Sequence, residues 1–143
     1  MQDRPTTMEL LEAVREFLER EVLPALTVHG LKYRMRIALN LLRIVEREIP
    51  GREARLSAEL AALHDLLDRP APAPPADAAL LEARVREASR ELCERIRAGA
   101  ADAGPWRARV LAHVGAMVED KLAINDPQRL EALSRGAGPG SPP

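Results

Sequence analysis

Aromatic residues are nearly missing from this sequence, with Phe17, Tyr33 and Trp106 the whole supply in 143 residues. The core must therefore be filled by Leu, Ala, Val and Ile, a composition that suits packed helices better than a sandwich of strands. A single cysteine, Cys93, excludes an internal disulfide framework and fits a reducing compartment. Excess charge of one sign is lacking too: 21 basic against 22 acidic residues leave a formal net charge of -1. The whole chain then offers no electrostatic footprint for nucleic acid or anionic lipid. Long apolar runs are absent, because charges interrupt each one well before the roughly 18 residues of a membrane span. The opening Met1-Gln-Asp-Arg-Pro5 carries an acid where a signal peptide carries basic residues, and no apolar stretch follows. These absences predict a soluble, cytoplasmic protein.

The 46% hydrophobic content can bury a single core. The fold class expected is all-α: one helical domain over residues 1–135, five main helices plus a short C-terminal one, and a disordered Gly/Pro-rich tail over 136–143. Thr6 and Glu9 have the form of a capping box opening a first helix over 7–23, ended by Pro24. A second helix over 31–49 stops at Pro50-Gly51. Its expected core face carries Leu31, Met35, Ala38, Leu42, Val45 and Ile49, widened by Ile37, Leu41 and Ile44. Leu56, Leu60, Leu63, Leu66 and Leu67 mark a third helix to about Asp68. The prolines of 69–76 form a semi-rigid spacer between two helical halves, 7–68 and 77–135, which are expected to pack together. Asp77 caps a fourth helix whose inner face is Leu81, Val85, Ala88, Leu92 and Ile96. A fifth begins at Gly104-Pro105 and carries Trp106, Val110, Leu111, Val114, Met117 and Val118. Asp126-Pro127 opens the short sixth.

No catalytic motif stands out. His29, His64 and His113 fall on different elements, and only His64 with Asp68 has a carboxylate at ligand spacing. Cys93 beside Leu92 reads as a small buried hydrophobe rather than a nucleophile. The glycines of the tail follow no strand and open no helix, so they do not make a phosphate cradle. Neither a metal nor an organic cofactor is implied.

The most informative constellation lies on the second helix. A turn of about 100° per residue puts Arg36, Asn40, Arg43 and Arg47 within a sector of about 60°, with Tyr33 at its border. That helix carries Lys32, Arg34, Arg36, Arg43 and Arg47 against Glu46 and Glu48, about +3. The first carries Glu9, Glu12, Glu16, Glu19 and Glu21 against Arg15 and Arg20, about -3. The simpler reading is that antiparallel neighbours exchange surface salt bridges or that both stripes are solvated. The sharper one makes Arg36, Asn40 and Arg47 an anchor for a carboxylate, a phosphate or an acidic partner surface.

Three segments in order carry a resemblance. Gln2-Asp3-Arg4-Pro5 leads into Glu9-Leu-Leu-Glu-Ala-Val14 and Leu23-Pro24; then come Arg36-Ile-Ala-Leu-Asn40 through Ile44-Val-Glu-Arg-Glu48, and Lys121-Leu-Ala-Ile-Asn-Asp-Pro127. The chain resembles a family of small bacterial proteins catalogued as a domain of unknown function. Members are typically encoded beside a kinase of the aminoglycoside-phosphotransferase fold and an acyl-CoA dehydrogenase. A similar small protein acts with such a kinase on 4-hydroxyacyl-CoA thioesters in levulinate catabolism. The resemblance implies a non-catalytic accessory subunit with that kinase as partner and the dehydrogenase as a further candidate. It supplies no catalytic residues.

Docking would use the stripe of Tyr33, Arg36, Asn40, Arg43 and Arg47 or an apolar patch near Trp106. The alternative is a helical ligand-binding protein that holds an acyl or CoA-like molecule between its halves, with Arg36 and Arg47 on phosphate. The least favoured reading is an enzyme centred on His64 with Asp68 or on Cys93. The unusually apolar second helix is also compatible with a symmetric homodimer.

Overall fold

A computed structural model describes residues 4–73 and 77–136. Every regular element among them is helical: α1 (Thr7–Phe17), a π-helical turn (Leu18–Val22), α2 (Leu23–Ala25), α3 (His29–Glu48), α4 (Arg52–Leu66), α5 (Ala78–Arg97), α6 (Pro105–Asn125) and α7 (Pro127–Ser134). The expected disorder of residues 137–143 and the spacer geometry of 74–76 lie outside the described residues. The chain forms two compact units, Met1–Pro50 and Gly51–Pro143. Their boundary is at Pro50–Gly51 rather than at the prolines, which join α4 to α5 within the second unit.

Local signals set most helix ends where the sequence puts them. Thr6 Oγ1 accepts the Glu9 amide at 3.2 Å and the Glu9 carboxylate accepts the Thr6 amide at 2.6 Å, which completes the capping box. Asp77 caps α5 by accepting the Leu80 amide at 2.7 Å, and Asp126 caps α7 by accepting the Arg129 amide at 3.1 Å. Gly51 begins α4 with φ +72°, a conformation that strains any residue with a Cβ.

Pro24 does not end the first helix, contrary to expectation. The π turn widens the ladder just before it, with the Leu23 amide donating back to the Leu18 carbonyl, and helix continues through Pro24 to Ala25. Pro24 there occupies the first turn of α2, where its missing N–H costs little.

The first unit is a hairpin of α1 and α3. Arg15 pairs with Glu46 while Glu19 pairs with Arg43, so the two helices run antiparallel. Of the core face expected on α3, Met35, Leu42 and Ile44 are half-buried, but Leu31, Ile37, Ala38, Leu41, Val45 and Ile49 are exposed. Among the described residues of the unit, the one fully buried side chain is Leu39. A two-helix layer covers only the sides that face each other, and α3 is apolar over a wider arc than α1 can cover.

The second unit has the larger core. Leu60, Leu63, Leu66 and Leu67 of the α4 segment meet Leu81, Val85, Ala88 and Leu92 of α5, with Val110 of α6 closing the cluster. The inner face of α5 is the one its 3.6-residue period predicts. On α6 only Val110 is buried, and Leu111, Val114 and Val118 face outward. Cys93 is exposed, not buried: one residue past Leu92, it turns about 100° away from the core row.

Candidate functional site

The hairpin seam fixes how its polar side is built. Arg15 Nε donates to both carboxylate oxygens of Glu46, at 2.8 and 2.9 Å, and Arg15 Nη1 donates to Glu19 at 3.1 Å. Glu19 also receives Arg43 Nη2, so Arg15, Glu19, Glu46 and Arg43 make one chain of charge across the seam. The Glu46 hydrogen bond, with Glu19 behind it, raises the Arg15 pKa above its ordinary value and keeps the guanidinium charged. These contacts match the exchange of salt bridges between antiparallel neighbours, and they involve Arg43 in the architecture of the hairpin.

The rest of the stripe faces outward on the same side. Tyr33, Arg36 and Asn40 are exposed, and none makes a side-chain hydrogen bond or ion pair among the described residues. Arg47 is half-buried and engaged. One α3 face thus brings together Tyr33, Arg36, Asn40, Arg43 and Arg47, and divides them into an engaged pair and an open triad. Trp106 belongs to the second unit and is not part of that face. Its indole N–H donates to the Leu66 carbonyl at 2.9 Å, and the ring is half-buried against the core.

Around Trp106 lies a shallow depression of about 380 Å³ lined by Asp68, Arg95, Ala100, Pro105, Trp106 and Arg109. Its polar groups serve the end of α4. Asp68 has φ +55°, the Arg69 amide bonds the His64 carbonyl at 2.8 Å, and the Asp68 amide bonds the Asp65 carbonyl at 3.2 Å. This is a Schellman cap with aspartate in the left-handed position that glycine usually fills. Arg109 donates to the Asp65 carbonyl at 2.5 Å and to the Asp68 carboxylate at 3.2 Å, and Arg95 donates to the Leu67 carbonyl at 3.4 Å. Asp68 and then Asp65 raise the Arg109 pKa. The sequence reading missed both arginines. Their only signal was position, Arg95 in the last turn of α5 and Arg109 about one turn into α6, within reach of the carbonyls that end α4.

The weaker candidates separate. His64 Nδ1 lies 2.7 Å from the Pro70 carbonyl, tying the proline segment to α4, while Asp68 faces Arg109. His113 is half-buried, and its Nε2 is enclosed without a hydrogen-bond partner among the described residues. No group of three or more His, Cys, Asp or Glu among the described residues could hold a metal ion. No described helix is long and apolar enough to cross a membrane.

Comparison with known proteins adds one positive finding. No curated protein and no solved structure matches the chain. The family described as a domain of unknown function (DUF6285) matches residues 24–129, from α2 into α7 with α1 outside the matched span, and the chain belongs to that family.

Proposed function

We propose that this chain is a non-catalytic interaction protein, an accessory subunit of a phosphotransferase-fold kinase that acts on hydroxyacyl-CoA. The polar side of the hairpin is the docking face. The observation that carries this reading is the open triad on α3: Tyr33, Arg36 and Asn40 stand exposed and, among the described residues, unpartnered, beside a seam in which Arg15, Glu19, Arg43 and Glu46 are engaged. A planar guanidinium flanked by an amide and a phenol suits an acidic protein surface, because each can donate without rearranging the hairpin. The kinase as partner rests on the resemblance read from the sequence, as does the acyl-CoA dehydrogenase as a second candidate.

Co-expression with a phosphotransferase-fold kinase of the proposed class, followed by size-exclusion chromatography, tests the reading. The expected result is co-elution and a kinase turnover that depends on this protein. Arg36→Glu combined with Asn40→Ala should abolish co-elution while leaving the far-UV circular dichroism unchanged. Separate elution together with indifferent turnover would overturn the proposal.

A further inference from the structure

The loop end of the hairpin departs from the rules that stabilise a helix. α2 ends at Ala25 and α3 begins at His29, with Val28 as its N-cap. Ser, Thr, Asp or Asn suits that position because its side chain accepts a free amide, and Val28 makes no such bond. No acid stands in the first turn of α3 to complement the helix dipole, and Lys32 sets a positive charge at the end of that turn instead. Arg36 follows Lys32 at i+4, a spacing at which like charges weaken a helix. From Val22 to Val45 there are four basic residues and no acidic one. Arg43 is engaged by Glu19, whereas Lys32, Arg34 and Arg36 are unpaired among the described residues.

The same end is open and aliphatic. Pro24, Ala25, Val28 and Leu31 are all exposed, Val28 by 63% and Leu31 by 48%. A valine that neither caps a helix nor packs on a neighbour does nothing for this hairpin. Local departures gathered at one place, with no compensation in the fold, mark a contact rather than a structural need. The cations add a direction. Lys32 and Arg36 lie on the polar side with Tyr33, but Arg34 lies about 160° from Lys32 around the axis. The free charges therefore encircle α3 behind the aliphatic tip instead of lining one face.

We infer that the partner takes the hairpin end-on: Val28 and Leu31 enter an apolar pocket whose carboxylate rim meets Lys32, Arg34 and Arg36. This rests on the kinase reading above and deepens it, extending the docking face over the tip to the side away from the triad. The chemistry of the pocket follows from charge complementarity, since a segment with three free cations and no acid selects an acidic surround and rejects a basic one. Apolar anchors buried at the centre of a contact and ringed by polar groups carry most of its energy. A side-on contact through the triad alone would leave Val28 and Arg34 outside it.

Co-elution of the full chain with a phosphotransferase-fold kinase of the proposed class, followed by calorimetric titration, tests it. Val28→Asp supplies the missing cap, so it should hold or raise the melting temperature while raising the dissociation constant at least about tenfold. A loss of binding in a chain no less stable than the wild type cannot come from unfolding. Arg34→Glu should weaken the complex at least about tenfold as well, by setting a carboxylate against the acidic rim. Separate elution of the wild type would overturn the docking reading and this inference with it. A wild-type complex indifferent to Val28→Asp, or weakened by Arg36→Glu but not by Arg34→Glu, would overturn the end-on contact alone. So would a kinase complex that survives Val28→Asp when capture by phosphatidylserine vesicles does not, because the tip would then address a bilayer.

Discussion

Both units are built from helices with broad aliphatic faces, yet they bury them very differently. Among the described residues, the Gly51–Pro143 unit encloses nine side chains in one cluster, whereas the Met1–Pro50 unit encloses Leu39 alone. Layer number accounts for the difference. α4, α5 and α6 contribute to a shared interior that each helps to roof, but α1 and α3 can only face one another, leaving each with a second apolar row. Closure in the second unit is hydrophobic, with side-chain donors on the last carbonyls of α4. In the first it depends on a few partly covered charges and on an open apolar side.

The largest effect expected from that contrast is at the two buried leucines. Leu63 has no exposed surface and lies inside the nine-residue cluster, while Leu39, at 2% exposure, has few enclosed neighbours. Leu63→Ala should lower the unfolding free energy by about 4 kcal/mol and Leu39→Ala by about 2 kcal/mol, because a thinly roofed site collapses more easily into the space vacated. Urea titration followed by far-UV circular dichroism measures both. Equal losses would break the comparison, since they would mean that the hairpin is as tightly enclosed as the larger unit.

The next effect isolates the charges of the seam. Arg15 and Glu46 are 17% and 16% exposed, so removing one leaves the other largely desolvated. Glu46→Ala should cost about 1–3 kcal/mol in the same titration. Replacing both, Arg15→Met with Glu46→Leu, should recover most of that loss, because a partly buried pair is often matched by apolar residues of similar size. The pH dependence has a definite sign. The Arg15 pKa is raised in the folded chain, so its contribution is present below the ordinary arginine value and fades only as pH rises through the raised one. The pair should therefore survive moderately alkaline buffers unchanged. If the double variant is as unstable as Glu46→Ala, the seam depends on its charges in a way packing cannot replace, and the contrast between the units sharpens.

Helix identity was legible because it is a local property. The Thr6–Glu9 box, the Asp77 and Asp126 caps and the breaks at Pro50-Gly51 and Gly104-Pro105 each act within a few residues. The inner row of α5 was readable for the same reason: a helix covered on one side by a continuous core shows a single apolar stripe. α3 was harder, since its apolar arc is wider than one neighbour can cover, and periodicity does not say which part meets α1. The buried part proved to centre on Leu39, Met35 and Leu42. The unit boundary was also hidden. Prolines mark where a helix cannot continue, not where contacts stop, and the segment 69–73 runs between two helices that pack on each other. Within the stripe, the sequence placed Arg36, Asn40, Arg43 and Arg47 on one face, but only the position of Glu19 decides that Arg43 is engaged while Arg36 is open.

The smallest effect expected is a gain, and it concerns the cap at the end of α4. Asp68 holds a left-handed conformation that costs a residue with a Cβ roughly 1 kcal/mol relative to glycine. It offsets this through its carboxylate contact with Arg109, an exposed pair that solvent weakens. Asp68→Gly removes the strain and the pair together, so the backbone term should win and the melting temperature should rise by about 2–4 °C. Asp68→Ala keeps the strain and loses the pair, so it should melt below the wild type. The opposite signs of these two variants are the test by thermal denaturation. If Asp68→Gly also melted lower, the carboxylate would outweigh the turn, and the end of α4 would rely on a charge much as the hairpin seam does. The contrast between a unit closed by packing and one closed by ion pairs would then be one of proportion.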